Sequence, residues 1–119
     1  MQPLNILIAE DEAIIAMLLG EVLSALGHNI CATVATEDEA VAAARAHAPD
    51  LVIIDAGLRD GSGIAAMTTI NAQYFTPHLF ITGNAAGVRS LQPKAVVLEK
   101  PFHEAAFVAA IERAMCLRH

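Results

Sequence analysis

Four stretches of this 119-residue chain carry side chains that could do chemistry: Glu10-Asp11-Glu12, Asp55, Thr82 and Lys100. Carboxylates gathered in one place repel unless a cation neutralises them. Hard oxygen ligands with no His or Cys among them select Mg²⁺ over Zn²⁺, and an ion so held keeps several waters. It can then take a phosphate oxygen, while a hydroxyl and a lysine hold the others. Phosphoryl transfer needs that positioning and charge neutralisation more than covalent chemistry from the protein. Carboxylates are themselves known phosphoryl acceptors. Brought together, these residues would make an aspartate that becomes phosphorylated with Mg²⁺ present.

Whether they come together depends on the elements that carry them. Leu51-Val52-Ile53-Ile54-Asp55 is a run of four apolar residues ending on a carboxylate, which reads as a strand buried on both faces. Glycines and turn formers follow, from Gly57 to Gly63. An Asp in this position could simply cap the next turn or helix, and only the endings of the neighbouring strands can decide.

Those endings agree. A first strand, 4–9, runs into the acidic triplet, and a helix over 13–26 follows. Its apolar residues recur at Ile14, Leu18, Val22 and Leu26, flanked by Ile15, Leu19 and Leu23, with Gly27 closing it. Acids at a helix start also complement the macrodipole, which accounts for one or two but poorly for three. A second strand, 28–35, with 29–34 as its centre, is less apolar and belongs near a sheet edge. Thr36 and Glu39 form a capping box for a helix over 37–47 that stops before Pro49. Ser62 or Gly63 opens a helix to about residue 72. Residues 77–82 form a fourth strand ending in Thr82, then a flexible loop, 83–87, and a short helix, 88–91. A fifth strand, 94–99, leads to Lys100-Pro101 and a last helix over 102–117, with Phe107, Ile111 and Met115 on its buried face.

Five alternating strand–helix units predict an α/β fold: a parallel five-stranded sheet with helices on both faces and right-handed crossovers. Ligands bind at the carboxyl ends of strands in such sheets, where the acids, Thr82 and Lys100 would converge. The length suits one domain spanning 1–119. The composition, 55% hydrophobic, supports a real core. A formal charge of −6 argues against direct nucleic-acid binding. Apolar runs fall far short of the roughly 20 residues a membrane span needs. Met1-Gln2-Pro3 leads directly into the first strand, without the pattern of a signal peptide. Cys31 and Cys116 match no metal spacing and read as reduced thiols of a cytoplasmic protein. His28, His47, His78, His103 and His119 show no pairing that suggests a metal, and His103, in the first turn of the last helix, reads as a surface residue.

Over residues 4–117 the sequence resembles the receiver domains of two-component response regulators. The resemblance is carried by Glu10-Asp11, Asp55, Gly63, Thr82 and Lys100-Pro101-Phe102, in that order. It implies a flavodoxin-like (βα)5 three-layer sandwich with strand order 2-1-3-4-5. It implies that Asp55 accepts a phosphoryl group from a histidine kinase or a histidine phosphotransfer protein and signals to a downstream protein. Asp11, Asp55 and the Gly57 carbonyl would ligate Mg²⁺, with Glu10 acting through water. Thr82, Lys100 and the N–H groups of Gly57 and Gly83 would hold the phosphoryl oxygens, and the Lys100-Pro101 bond would be cis. A monomer or a weak dimer through the fifth strand and last helix is implied. The chain is not an enzyme on this reading, beyond assisting its own phosphorylation and dephosphorylation.

The sequence departs from the family at Arg59, where a proline is frequent, and at Val97, where an aromatic is frequent. Phe80-Ile81-Thr82-Gly83 partly resembles an alphaproteobacterial receiver subfamily whose motif reads Phe-Ala-Thr-Gly. Two alternatives stand beside this one. A phosphohydrolase of the haloacid dehalogenase type also ends a strand on a nucleophilic Asp, but carries a second Asp two residues on, where this chain has Gly57. A degenerate receiver would bind partners without phosphorylation.

Overall fold

The computed structural model describes residues 2–72 and 74–117; Met1 and His119 lie outside them. Five strands, β1 (Asn5–Ala9), β2 (Asn29–Val34), β3 (Leu51–Asp55), β4 (His78–Thr82) and β5 (Val96–Glu99), alternate with five helices. The helices are α1 (Ala13–Ala25), α2 (Glu37–His47), α3 (Gly63–Ile70), α4 (Ala85–Leu91) and α5 (Glu104–Cys116). The strands are parallel in the order β2-β1-β3-β4-β5, the flavodoxin-like arrangement.

Strand alternation divides the core into two layers. Ile6, Ile8, Ile53, Leu79, Ile81 and Leu98 point to one face, where they meet Leu19 and Leu23 of α1 and Phe107 and Ile111 of α5. Leu7, Val52, Ile54, Phe80 and Val97 point to the other, covered by Ala40 and Ala44 of α2, Ala66 and Met67 of α3, and Ala85 and Val88 of α4. All five residues of β3 are buried, as a central strand flanked by β1 and β4 must be. The alanines of α2 let that helix lie close to the sheet. Thr36 and Glu39 form the capping box at its start, and β2 is the edge strand expected.

Three element readings are corrected. In α1 the buried face is Ala16, Leu19 and Leu23, with Ile15 and Val22 half-buried, while Ile14, Leu18 and Leu26 are exposed. The helix is apolar almost all round, so periodicity could not choose between two neighbouring stripes. The stretch read as a flexible loop, 83–87, is mostly helix: Asn84 is the N-cap of α4, and its side chain accepts from Gly87 N–H at 3.1 Å. The last helix starts at Glu104, so His103 precedes it at the N-cap position, exposed as expected. Its buried face is Phe107, Ala110, Ile111 and Ala114, with Met115 only partly buried. Cys31 is half-buried and Cys116 exposed, and both are free thiols.

Candidate functional site

The carboxyl ends of β1, β3, β4 and β5 bring the chemistry-bearing residues to one edge of the sheet. β3 ends on Asp55, and α3 starts so soon afterwards that Gly63 packs on the Asp55 backbone. Gly63 N–H donates to Ala56 O at 2.9 Å. Ser62, the N-cap, accepts from Ile64 and Ala65 N–H. The preceding turn is pinned from outside, because Ser62 N–H donates to the Glu37 carboxylate at 2.9 Å and Arg59 forms an isolated bridge with Thr36.

Glu10, Asp11 and Asp55 each bring a carboxylate oxygen into one group, all within 4.8 Å of one another. Glu10 and Asp55 are buried and Asp11 is half-buried. Lys100 reaches into this group from the end of β5. Its Nζ lies 2.7 Å from Asp55 Oδ2, 3.1 Å from Glu10 Oε1 and 3.9 Å from Glu12 Oε1. One ammonium thus bridges two buried carboxylates. The other Asp55 oxygen, Oδ1, accepts from Gly57 N–H at 2.9 Å. The second oxygen of Glu10 accepts from Glu12 N–H at 3.1 Å. Glu12 is the N-cap of α1, yet its side chain makes no capping hydrogen bond.

Thr82 is buried at the end of β4, paired with Glu99 of β5, and its carbonyl accepts from Lys100 N–H at 2.8 Å. Its hydroxyl oxygen accepts from Asn84 N–H at 3.0 Å. A hydroxyl has one donor and two acceptor sites, so the O–H of Thr82 remains able to donate to an incoming oxygen. Gly83 is exposed, and a Cβ built there would meet nothing within 4 Å. The peptide bond between Lys100 and Pro101 is cis, as expected. Among the described residues this is the one cluster of three metal-ligating side chains, and no histidine enters it.

The chain matches the family described as response regulator receiver domain over residues 6–112. It belongs to the receiver domain family. It is 37% identical over 119 residues to the transcriptional regulatory protein PdtaR of Mycobacterium tuberculosis, covering 95% of this chain and 57% of that protein. It is 36% identical to the phyllosphere-induced regulator PhyR of Methylorubrum extorquens, covering 93% of this chain and 43% of the relative. The chain therefore spans about half the length of these two relatives. Among solved structures, the PhyR receiver domain of Erythrobacter litoralis superposes with a TM-score of 0.88 at 34% identity, covering 100% of this chain and 95% of that one. Receiver domains are signalling modules rather than classical enzymes, and they bind Mg²⁺ at an acidic pocket. The haloacid dehalogenase reading finds no support.

The departures from the receiver pattern now have a physical setting. Arg59 turns its guanidinium to the carbonyl of Asp11 at 3.4 Å, so it braces the acidic loop where a proline would only stiffen the turn. Val97 is buried against the α4 layer. Two further participants are Glu37 and Glu99; the latter is exposed and accepts from Ala85 N–H at 3.0 Å. Strand alternation could have flagged Glu99, because it puts residues 97 and 99 on the face toward α4.

Burial pushes the Glu10 carboxyl up from its ordinary 4.5 to about 7, against opposing hydrogen bonds from Glu12 N–H and Lys100. For Lys100, burial alone would lower the ammonium's pKa, but hydrogen bonds to Asp55 and Glu10 outweigh it and the net direction is up. The folded protein therefore holds the Glu10 proton more tightly than the unfolded chain does. That contribution to stability is fully present below about pH 4.5 and is lost as pH rises to about 7. Burial lowers the His78 pKa from its ordinary 6.5, which has the opposite sign below that pH. The effect of Glu10 is thus read as a difference. In metal-free protein, the melting temperature of wild type minus that of Glu10→Gln should fall steadily as pH rises across this window. A flat difference would show that Glu10 does not titrate there.

Proposed function

We propose that Asp55 is a phosphoacceptor, taking a phosphoryl group from a phosphohistidine donor, and that the resulting change at the β4 and β5 ends is read by a partner protein. The observation that carries this reading is the convergence of Glu10, Asp11 and Asp55 on Lys100 at the end of a buried central strand. An oxygen of Asp55 forms the new O–P bond as the P–N bond to the donor imidazole breaks, and the imidazole nitrogen takes a proton from solvent. Gly57 N–H already holds one Asp55 oxygen and so orients the carboxylate. Lys100 can exchange its contact with Asp55 Oδ2 for a phosphoryl oxygen while keeping Glu10. The Thr82 O–H and the Gly83 N–H complete the cradle.

The donor set fits Mg²⁺: three carboxylates within one ion's reach and no softer ligand. Asp11, Asp55 and the Gly57 carbonyl would hold the ion, which when bound neutralises charge on the transferring group. Glu10 already spends both oxygens, on Lys100 and on Glu12 N–H, which suits a role through water. Loss of an outer contact of this kind costs roughly tenfold in metal affinity. Glu10→Gln should show about that loss and Asp11→Asn a larger one, measured by Mg²⁺ titration. Equal losses would mean the two acids are assigned wrongly. Mg²⁺ should also raise the melting temperature by mass action.

Apolar side chains lie exposed beside the site. Ile14, Met17 and Leu18 of α1 are 71%, 56% and 52% exposed. A groove of about 440 Å³ between α1 and α5 runs past Leu18, Val22, Pro101 and Phe102 to Lys100. Such a surface suits a helix of a histidine kinase or phosphotransfer protein that carries the phosphohistidine to Asp55. Residues 1–119 act as one receiver domain in the cytoplasm, as a monomer or a weak dimer through β5 and α5. Incubation with acetyl phosphate and Mg²⁺ tests the reading. At most one phosphoryl group per chain should appear on the protein. More than one phosphoryl group per chain would overturn it, and so would no labelling at all.

A further inference from the structure

The phosphoryl cradle has two halves on neighbouring strands, Thr82 and Gly83 at the end of β4 and Lys100 at the end of β5. The backbone joins them through the Thr82–Glu99 pairing and the Lys100 N–H bond to Thr82 O. A second tie comes from a side chain. Glu99, directly before Lys100, accepts from Ala85 N–H at 3.0 Å, and Ala85 is two residues past Gly83. The turn between these points is otherwise held by short polar contacts: Asn84 N–H to Thr82 Oγ1 at 3.0 Å and Gly87 N–H to Asn84 Oδ1 at 3.1 Å. Further along α4, Arg89 reaches Val97 O at 3.4 Å. The seam between α4 and β5 is therefore bolted by polar contacts at both ends, on the face where β5 presents Val97 and Glu99. Val97 is a small β-branched side chain with one preferred torsion. It cannot swing to follow a movement of Thr82, so the Glu99 contact is the side-chain link across this seam nearest the cradle.

We infer that Glu99 is a positioning residue for phosphoryl capture. Its carboxylate holds the Gly83–Asn84 turn against the end of β5, so that the Gly83 N–H and the Lys100 ammonium face the same phosphoryl group. This rests on the phosphoacceptor reading of Asp55. Glu99 touches neither the phosphoryl group nor the metal; it acts through the turn. Its role is one of geometry, and it opposes what its charge alone would do. A carboxylate near an anion site weakens anion binding, so removing only the charge should tighten binding, while removing the hydrogen bond should loosen it.

That opposition makes the test decisive. Affinity for beryllofluoride with saturating Mg²⁺ is measured for wild type, Glu99→Ala and Glu99→Gln, together with Mg²⁺ affinity alone and the metal-free melting temperature. Wild type must bind beryllofluoride and Asp55→Asn must not; if that control fails, the phosphoacceptor reading is wrong, whatever Glu99 does. Given the control, Glu99→Ala should bind roughly five- to tenfold more weakly than Glu99→Gln, which lacks the same charge, as loss of one hydrogen bond to a positioned group predicts. Its Mg²⁺ affinity should stay within about twofold of wild type. Glu99→Gln keeps an acceptor oxygen and should equal wild type or bind more tightly. Hydrogen exchange at the Ala85 amide should be faster in the alanine variant and close to wild type in the glutamine variant. Beryllofluoride binding in Glu99→Ala as tight as in Glu99→Gln, or tighter, would overturn the inference. So would equal weakening in both variants, or a matching loss of Mg²⁺ affinity.

Discussion

Asp55→Asn should reduce labelling by a small phosphodonor with Mg²⁺ to background, while Asp60→Asn should leave it near the wild-type level. The two carboxylates are close in sequence and differ in everything else. Asp55 ends a central strand, is buried, and has both oxygens engaged, one by Gly57 N–H and one by Lys100. Asp60 is exposed, sits in a turn with φ of 51°, and is not a member of the carboxylate cluster. Asparagine at 55 keeps the size of the side chain and its capacity to accept from Gly57, so a folded variant is expected. It removes the anionic oxygen that would attack phosphorus. Gel-resolved incorporation from a labelled donor checks both variants. Persistent labelling of Asp55→Asn would remove the basis of the proposed function.

The second large effect is on stability. Gly63→Ala should destabilise the protein by about 2 kcal/mol, the range for forcing an extra methyl into a packed site, and should lower phosphorylation with it. A Cβ at Gly63 would run into the carbonyl of Asp55 and approach Ile54 Cγ1 to 3.0 Å. The reason is closeness of approach, since α3 starts against the very end of β3. Relief would require moving either the helix start or the Asp55 peptide, which displaces the acceptor carboxylate. Gly57→Ala is the internal control. A Cβ there meets only Asp55 Oδ1, at 3.9 Å, so its melting temperature should stay close to wild type. Denaturant unfolding of both variants decides it; equal stability of the two would mean that the packing at Gly63 is looser than described.

The site was legible in the sequence because its members end strands: an acid, a hydroxyl or a lysine at the close of an apolar run is visible as a break in pattern. Topology then brings them to one edge of the sheet, and that follows from strand–helix alternation alone. The capping box at Thr36 and Glu39 was legible because it is local. Long-range side-chain contacts were not. Nothing in the spacing shows that Glu37 would reach Ser62 N–H, and alternation puts Glu99 on the α4 side without showing that it reaches Ala85 N–H. The buried face of α1 was misassigned because Ile14, Ile15, Leu18, Leu19, Val22 and Leu23 fill most of the helix circumference. Only the position of the sheet selects Leu19 and Leu23 and leaves Leu18 exposed. The start of α4 was placed too late because Gly83 and Gly87 suggested a loop. Asn84 and Glu99 cap that helix from side chains, and Gly87 lies inside it.

The central claim is that Asp55 forms an acyl phosphate. Trapping that species names the residue directly. The protein is incubated with acetyl phosphate and Mg²⁺, treated at once with borohydride, and digested for peptide mass spectrometry. Reduction of an aspartyl phosphate leaves homoserine at the modified position. The account predicts homoserine at position 55, dependent on both donor and Mg²⁺, and unmodified aspartate at positions 11 and 60. Homoserine at either of those positions, or none at 55 under conditions where the protein carries label, would contradict it.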